Sequence, residues 1–216
     1  MFQIKSFTFN PFDENTYILS DETHECIIID PGCYGEDEEK ALESFITEMQ
    51  LKPVVLVNTH AHIDHVLGNN FICKKYNLSP VLHILELPLL EAAPVYGTEW
   101  GIAMHPSPAP ERFLKEEDVF HFGNTELKIL FTPGHSPGSI CLFSENEKII
   151  ISGDVLFQQS IGRTDLPGGD YDTLIRSIIE KLFVLDEKTK VFPGHGPETT
   201  IDLEKKLNPF VGIKSL

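Results

Sequence analysis

Residues 59–65 read Thr-His-Ala-His-Ile-Asp-His, so three histidines and an aspartate fall within positions 60–65. The string comes directly after the continuous apolar run Val54–Val57, which itself follows Pro53. Such a run predicts a central strand buried on both faces. In a layered α/β fold, ligands gather at the carboxyl ends of strands of this kind. His60 and His62 lie two apart and, in extended chain, project to the same side. Asp64 and His65 then fall at the start of the next helix, where the backbone turns sharply. One short segment thus demands strand, tight turn and helix in succession, and aims four donors into a small volume from two directions.

Further donors have the same setting. His135 lies in Thr-Pro-Gly-His-Ser-Pro-Gly, after a strand predicted to end at Thr132. Asp154 lies in Ser-Gly-Asp after a strand ending at Ser152, and His195 in Phe-Pro-Gly-His-Gly after one ending near Phe192. Each is preceded by glycine, which lets the backbone bend tightly and bring the donor to a shared point. A lone histidine is more often structural than ligating, and His24, His83, His105 and His121 are read that way. The strand-end sites together, with His-x-His-x-Asp-His among them, point to a metal centre.

The remaining pattern is a layered α/β domain. Phe2–Phe9, Thr16–Leu19 and Cys26–Ile29 read as strands, the last stopped by Asp30-Pro31-Gly32. Glu36–Met49 reads as a helix with Leu42, Phe45, Ile46 and Met49 on one face and acids at 36–39. Asp64–Tyr76 predicts the next helix. From Ile84 to Pro110 the prolines at 88, 94, 106, 108 and 110 predict only a short helix, Leu85–Ala92, then an irregular loop carrying Tyr96, Trp100 and Met104. Strands resume at Glu126–Thr132, Ser139–Phe143 and Lys148–Ser152. Asp172–Leu185 reads as an amphipathic helix with Asp172 as N-cap, before a strand at Lys190–Phe192 and a helix at Thr200–Leu207. No repeat or linker interrupts the chain, so a single domain over residues 1–216 is expected, with sheets covered by helices.

Charge narrows the partners. Against 17 bases stand 33 acids, a formal −16. Such a surface repels phosphate backbones, so neither nucleic acid nor an anionic membrane is expected as a partner. No run approaches the roughly 18–20 apolar residues that span a bilayer, and Met1–Asn10 lacks the apolar stretch of a secretory leader. The 4 cysteines, Cys26, Cys33, Cys73 and Cys141, are scattered without a C-x-x-C pair. They read as small buried hydrophobes with reduced thiols, and the expected compartment is the cytoplasm.

On Asp30-Pro31-Gly32, Thr59–His65, Pro133–Gly138, Gly153-Asp154, Gly162-Arg163-Thr164-Asp165 and Pro193-Gly194-His195-Gly196, the sequence resembles the metallo-β-lactamase superfamily. Within it, the sequence is most similar to short, single-domain proteins of the glyoxalase II (hydroxyacylglutathione hydrolase) branch. The resemblance implies a four-layer αβ/βα sandwich. It implies that His60, His62 and His135 hold one metal, that Asp64, His65 and His195 hold a second, and that Asp154 bridges them. Asp64 and Asp154 are thereby the catalytic carboxylates. A donor set of nitrogen and oxygen suits two divalent ions, Zn²⁺ first, with Fe and Mn also acceptable.

The chemistry that the resemblance implies follows from charge. Two ions about 3.5–4 Å apart share a hydroxide and polarise a carbonyl. A thioester then releases a thiolate of pKa about 8.5 without a strong general acid. The expected reaction is hydrolysis of a small-molecule thioester of the S-(2-hydroxyacyl)glutathione type. Arg163 matches a glutathione-contacting basic residue of the branch; a plain ion pair with Asp165 is the other reading. Only 21 residues (216 − 195) follow His195, so the C-terminal helical domain of larger glyoxalase II enzymes is not expected. The branch's two glutathione-contacting tyrosines have no counterpart near Asp165 and Pro197. The alternatives are a persulfide dioxygenase, with one iron on His60, His135 and Asp154, a lactonase, and a non-enzymatic metal-binding protein. A β-lactamase is disfavoured because zinc β-lactamases lack an aspartate at the place of Asp154, and a nuclease by the −16 charge.

Overall fold

The chain opens with an antiparallel meander of β1 (Gln3–Phe9), β2 (Glu14–Ser20) and β3 (Glu25–Ile29). The computed structural model describes residues 2–213. Crossover connections come next. Helix α1 (Glu36–Glu48) leads to β4 (Lys52–Val57), α2 (Ile63–Val66) and α3 (Asn69–Tyr76) lead to β5 (Pro80–His83), and α4 (Leu87–Glu99) leads to β6 (Arg112–Leu114). Each new strand is parallel to its predecessor, and the six stand in sequence order in one sheet. Ile18, Cys26, Ile28 and Leu56 of the sheet pack with Leu42 and Ile46 of α1 and Ile72 and Cys73 of α3. Leu19, Ile27 and Ile29 are equally buried, so the sheet is apolar on both faces.

The fold divides into two compact units. The first runs to Leu114 and takes in His121–Glu126; the second takes Lys115–Phe120 and continues from Leu127. The second sheet has the order β14-β13-β10-β9-β8-β7. Its strands are β7 (Val119–Phe122), β8 (Thr125–Phe131), β9 (Ile140–Ser144), β10 (Ile149–Gly153), β13 (Lys190–Pro193) and β14 (Thr199–Thr200). A two-residue hairpin, β11 (Leu156–Phe157) with β12 (Ser160–Ile161), follows β10. Helix α5 (Tyr171–Ser177) precedes β13, which runs parallel to β10, and α6 (Ile201–Leu207) follows β14. Leu174, Ile178 and Leu182 pack with Ile150, Val191, Phe143 and Ile201 in one apolar cluster. No described helix is long and apolar enough to cross a membrane.

Several expectations are corrected. β4 is fully buried only at Leu56 and Val57. Pro53 cannot donate to the ladder, and the register with β3 shifts beside it, where Cys26 faces Pro53 and Ile27 faces Val55. The helix expected at Asp64–Tyr76 breaks into α2 and α3. Gly68 turns its N–H away from the helix to Pro31 O at 2.7 Å, and a Cβ there would lie 2.4 Å from Cys33 Sγ. Met49 caps α1 and is exposed.

Over residues 93–99 the expected loop is instead the second half of α4, a helix of 13 residues with Tyr96 inside it and Trp100 as its C-cap, while residues 101–110, with Met104, are irregular as expected. Pro88 sits in the first turn, where no N–H is needed. Pro94 is interior and costs about 3 kcal/mol. Leu89, Leu90 and Ala93 offset that by packing with Val66 and Leu82, at roughly 1.5–3 kcal/mol for each fully buried leucine. Met104 packs against the same cluster.

Asp170, not Asp172, caps α5: its backbone is extended and its carboxylate accepts Thr173 N–H at 2.8 Å. That helix does not run on as α-helix to Leu185 but widens into a π turn over Ile178–Leu182. Leu174, Ile178 and Leu182 are spaced by four, which exceeds the α-helical repeat, and the wider turn keeps all three in the core.

Candidate metal centre

The first donor cluster grows from the ends of β3 and β4. Asp30 leaves β3 with φ 48° and donates its N–H to Val57 O at 2.9 Å, tying the two strand ends together. A positive φ is tolerable because aspartate is among the few side chains that visit this region. Its carboxylate accepts Thr59 N–H at 2.7 Å and Thr59 Oγ1–H at 2.6 Å, and stands 3.2 Å from His65 Nδ1. An Nδ1 facing a carboxylate sets the tautomer and turns Nε2 toward the other donors. His65 Nε2 lies 3.5 Å from Asp64 Oδ2.

The neighbouring rings follow. His62 is the N-cap of α2, and its ring is perpendicular to that of His60 with centroids 4.8 Å apart. The His60 and His65 centroids are 4.1 Å apart. His60, Ala61 and His65 are buried. So His60, His62, Asp64 and His65 are drawn together as the spacing predicted.

Residues that sequence reading did not single out hold this cluster. Glu86 accepts Ala61 N–H at 2.8 Å, between the two ligand-type histidines. Asn10 Nδ2 donates to Gly32 O and Asp64 O, both at 3.0 Å. Glu14 is fully buried, with Oε2 2.9 Å from Thr16 Oγ1 and Oε1 3.9 Å from His65 Nδ1. Burial pushes its carboxyl well above the usual range, against the pull of His65. Gly32 must be glycine, since a Cβ would lie 2.0 Å from Glu14 Oε2 and 2.6 Å from Asp64 O. Asp30-Pro31-Gly32, read first as a strand stop, is therefore part of the site. Glu14 and Glu86 carried no sequence signal.

The second cluster is built on the other sheet. Gly134 has φ 130°, and a Cβ there would meet the Leu174 backbone at 2.3 Å, so only glycine brings His135 in after β8. His135 Nδ1–H donates to Arg163 O at 2.7 Å. Its Nε2 lies 3.5 Å from Asp154 Oδ2, and His195 Nε2 lies 3.5 Å from the same oxygen. Gly153, with φ 49°, ends β10 and releases Asp154. His135, Asp154 and His195 are thus also drawn together. The Arg163 side chain is exposed and forks onto Asp165 at 2.7 and 2.8 Å, which holds the Asp165 carboxyl at about 2. At this site it is the Arg163 backbone, not its guanidinium, that touches a candidate ligand.

Both clusters fit a cation. Each offers imidazole nitrogen and carboxylate oxygen, with Nδ1 occupied where an acceptor is named and Nε2 turned inward. Asp30, Glu86 and Asp154 are buried, while no lysine or arginine is buried among the described residues. Buried carboxylates without cations cost several kcal/mol each, and divalent ions offset that. The cysteines are free and buried, as expected, and belong to neither cluster. Burial pushes Cys73 to about 11 and Cys141 to about 12, so they offer no thiolate nucleophile. His83 accepts Leu85 N–H at 3.3 Å, a capping role.

Comparison with known proteins gives a consistent picture. The description "Metallo-beta-lactamase superfamily" matches residues 9–195. Probable metallo-hydrolase YqgX of Bacillus subtilis is 40% identical over 208 residues, 95% of this chain and 96% of that protein. Hydroxyacylglutathione hydrolase GloC of Haemophilus influenzae is 38% identical over 207 residues, 94% and 95% of the two chains. Among solved structures, BLEG-1 B3 metallo-beta-lactamase is similar with TM-score 0.89 and 36% identity, covering 97% of this chain and 99% of that one. TTHA1623 in a di-iron-bound form is similar with TM-score 0.86 and 38% identity, covering 95% and 99%.

Proposed function

From the premise that this chain belongs to the metallo-β-lactamase superfamily as a metal-dependent hydrolase, we propose that it cleaves a thioester of the S-(2-hydroxyacyl)glutathione type. In this reading His60, His62 and His135 hold one divalent cation, Asp64, His65 and His195 hold the other, and Asp154 serves both. Zinc suits the donors, and the di-iron form of TTHA1623 makes iron an equal contender. When bound, such a pair lowers the pKa of water and polarises a carbonyl.

The chain's own residues supply the rest. The observation that carries the reading is the orientation of His65 and His135, whose Nδ1 atoms are held by Asp30 and by Arg163 O. Asp64 and Asp154 place anionic oxygen beside the Nε2 atoms. A thiol leaving group of pKa about 8.5 departs without a positioned acid, so a thioester asks least of this constellation. GloC, 38% identical, supports the hydroxyacylglutathione substrate. Arg163 is exposed at the rim of the second cluster and is proposed to meet the anionic thiol carrier in place of Asp165. A small molecule, and neither nucleic acid nor an anionic membrane, fits the −16 charge.

Metal analysis beside a panel of acyl thioesters tests this. The expected result is about two metals per chain, as in paired-metal hydrolases, with turnover of S-lactoylglutathione. Asp154→Ala is expected to release metal and lose activity by about 100-fold or more. A single iron with sulfite formed from glutathione persulfide would overturn the thioester reading, and an active, metal-loaded Asp154→Ala would overturn the shared-ligand role.

A further inference from the structure

Glu86 is fully buried at the end of the 3₁₀ turn Ile84–Glu86, which follows β5. It is also the N-cap residue of α4, yet its side chain makes no capping bond to that helix. Oε2 reaches instead to Ala61 N–H at 2.8 Å. Ala61 is buried between His60 and His62, whose rings stand perpendicular at 4.8 Å. A carboxylate is costly to bury, and a backbone N–H within a His-x-His turn is costly to leave without an acceptor. Each meets the other's need at the position that sets the angle between the two rings. β5 itself is held to β4 by parallel pairing of Leu56 with Pro80 and Val57 with Val81, so the short turn that carries Glu86 starts from a paired strand.

We propose that Glu86 is a positioning residue: its carboxylate locks the His60–Ala61–His62 turn so that both imidazoles address one cation, and its buried charge favours that cation. The inference rests on the reading of His60 and His62 as metal ligands.

The test measures Zn²⁺ affinity of the apoprotein, the visible d–d spectrum of its Co²⁺ form, and the unfolding midpoint without metal. Glu86→Met keeps length and burial but removes the acceptor. It is expected to weaken Zn²⁺ binding by about 10- to 100-fold and to alter the Co²⁺ spectrum. Glu86→Gln keeps an acceptor for Ala61 N–H and is expected to restore the spectrum while recovering only part of the affinity. Should Glu86→Met fail to fold, Glu86→Asp decides, because it retains charge but withdraws the carboxylate by one methylene; the same loss is expected. Wild-type affinity and spectrum in Glu86→Met, or in Glu86→Asp, would overturn the assignment, even if the apoprotein midpoint falls. A wild-type protein that binds neither ion removes the metal reading itself, a result distinct from equal binding by wild type and variants.

Discussion

Asp21 shows how much one side chain outside the metal site can hold. It is buried, and its carboxylate accepts Thr23 N–H at 2.9 Å, Thr23 Oγ1–H at 2.6 Å, Asn124 N–H at 2.6 Å and Thr125 Oγ1–H at 3.1 Å. Burial alone would raise its pKa, but these hydrogen bonds outweigh it and the value falls below the usual 3.8. A carboxyl depressed in the folded state stabilises above its unfolded pKa, and that stability fades as pH drops through the folded value. Asp21→Ala is therefore expected to cost about 2–4 kcal/mol at neutral pH in urea unfolding. The gap to wild type should narrow below pH 3.8, and a gap independent of pH would contradict the charged role. None of this was legible in sequence. Asp21 looks like any turn aspartate until Asn124 and Thr125, distant in the chain, are brought to it.

At the scale of elements, short buried polar seams decide which helices stay put. Glu204 of α6 is fully buried and accepts Thr199 Oγ1–H at 2.6 Å, Gln159 N–H at 2.9 Å and Asn208 Nδ2–H at 2.8 Å. It thereby fastens the β11–β12 turn to α6. Glu204→Ala would strand several donors and should cost about 3 kcal/mol or more, read from thermal unfolding; a loss within about 1 kcal/mol would show the seam to be dispensable. Periodicity predicted α1, α6 and the longer strands because each is amphipathic or apolar over enough residues. It missed β5, β6, β7, β11, β12 and β14, which are two to four residues long and exist because neighbouring strands offer hydrogen-bond partners. It misjudged α4 because prolines weigh heavily in a local reading, whereas the helix owes its continuity to burial against Val66 and Leu82.

For the whole molecule, the excess of acid is the dominant property. With net charge −16 and buried carboxylates at both clusters, the metal-free protein carries self-repulsion that cations relieve. Ligands that bind only the folded state stabilise it by mass action, by about 4 kcal/mol at a thousandfold excess over Kd. Chelator treatment should therefore lower the unfolding midpoint by roughly 10 °C for a chain of this size, and stoichiometric Zn²⁺ should restore it. A midpoint indifferent to chelator and metal would mean that the clusters hold no ion. What residue order alone determined was the placement of His60, His62, His135, Asp154 and His195 after strand ends and of Asp64 and His65 at the start of a helix, because glycine turns and apolar runs are local features. What only tertiary structure decided was the support behind them: Asp30 against His65, Glu86 against Ala61, Arg163 O against His135. These pairs lie 25 to 35 residues apart in the chain, a separation over which no local pattern carries information and packing alone chooses the partner.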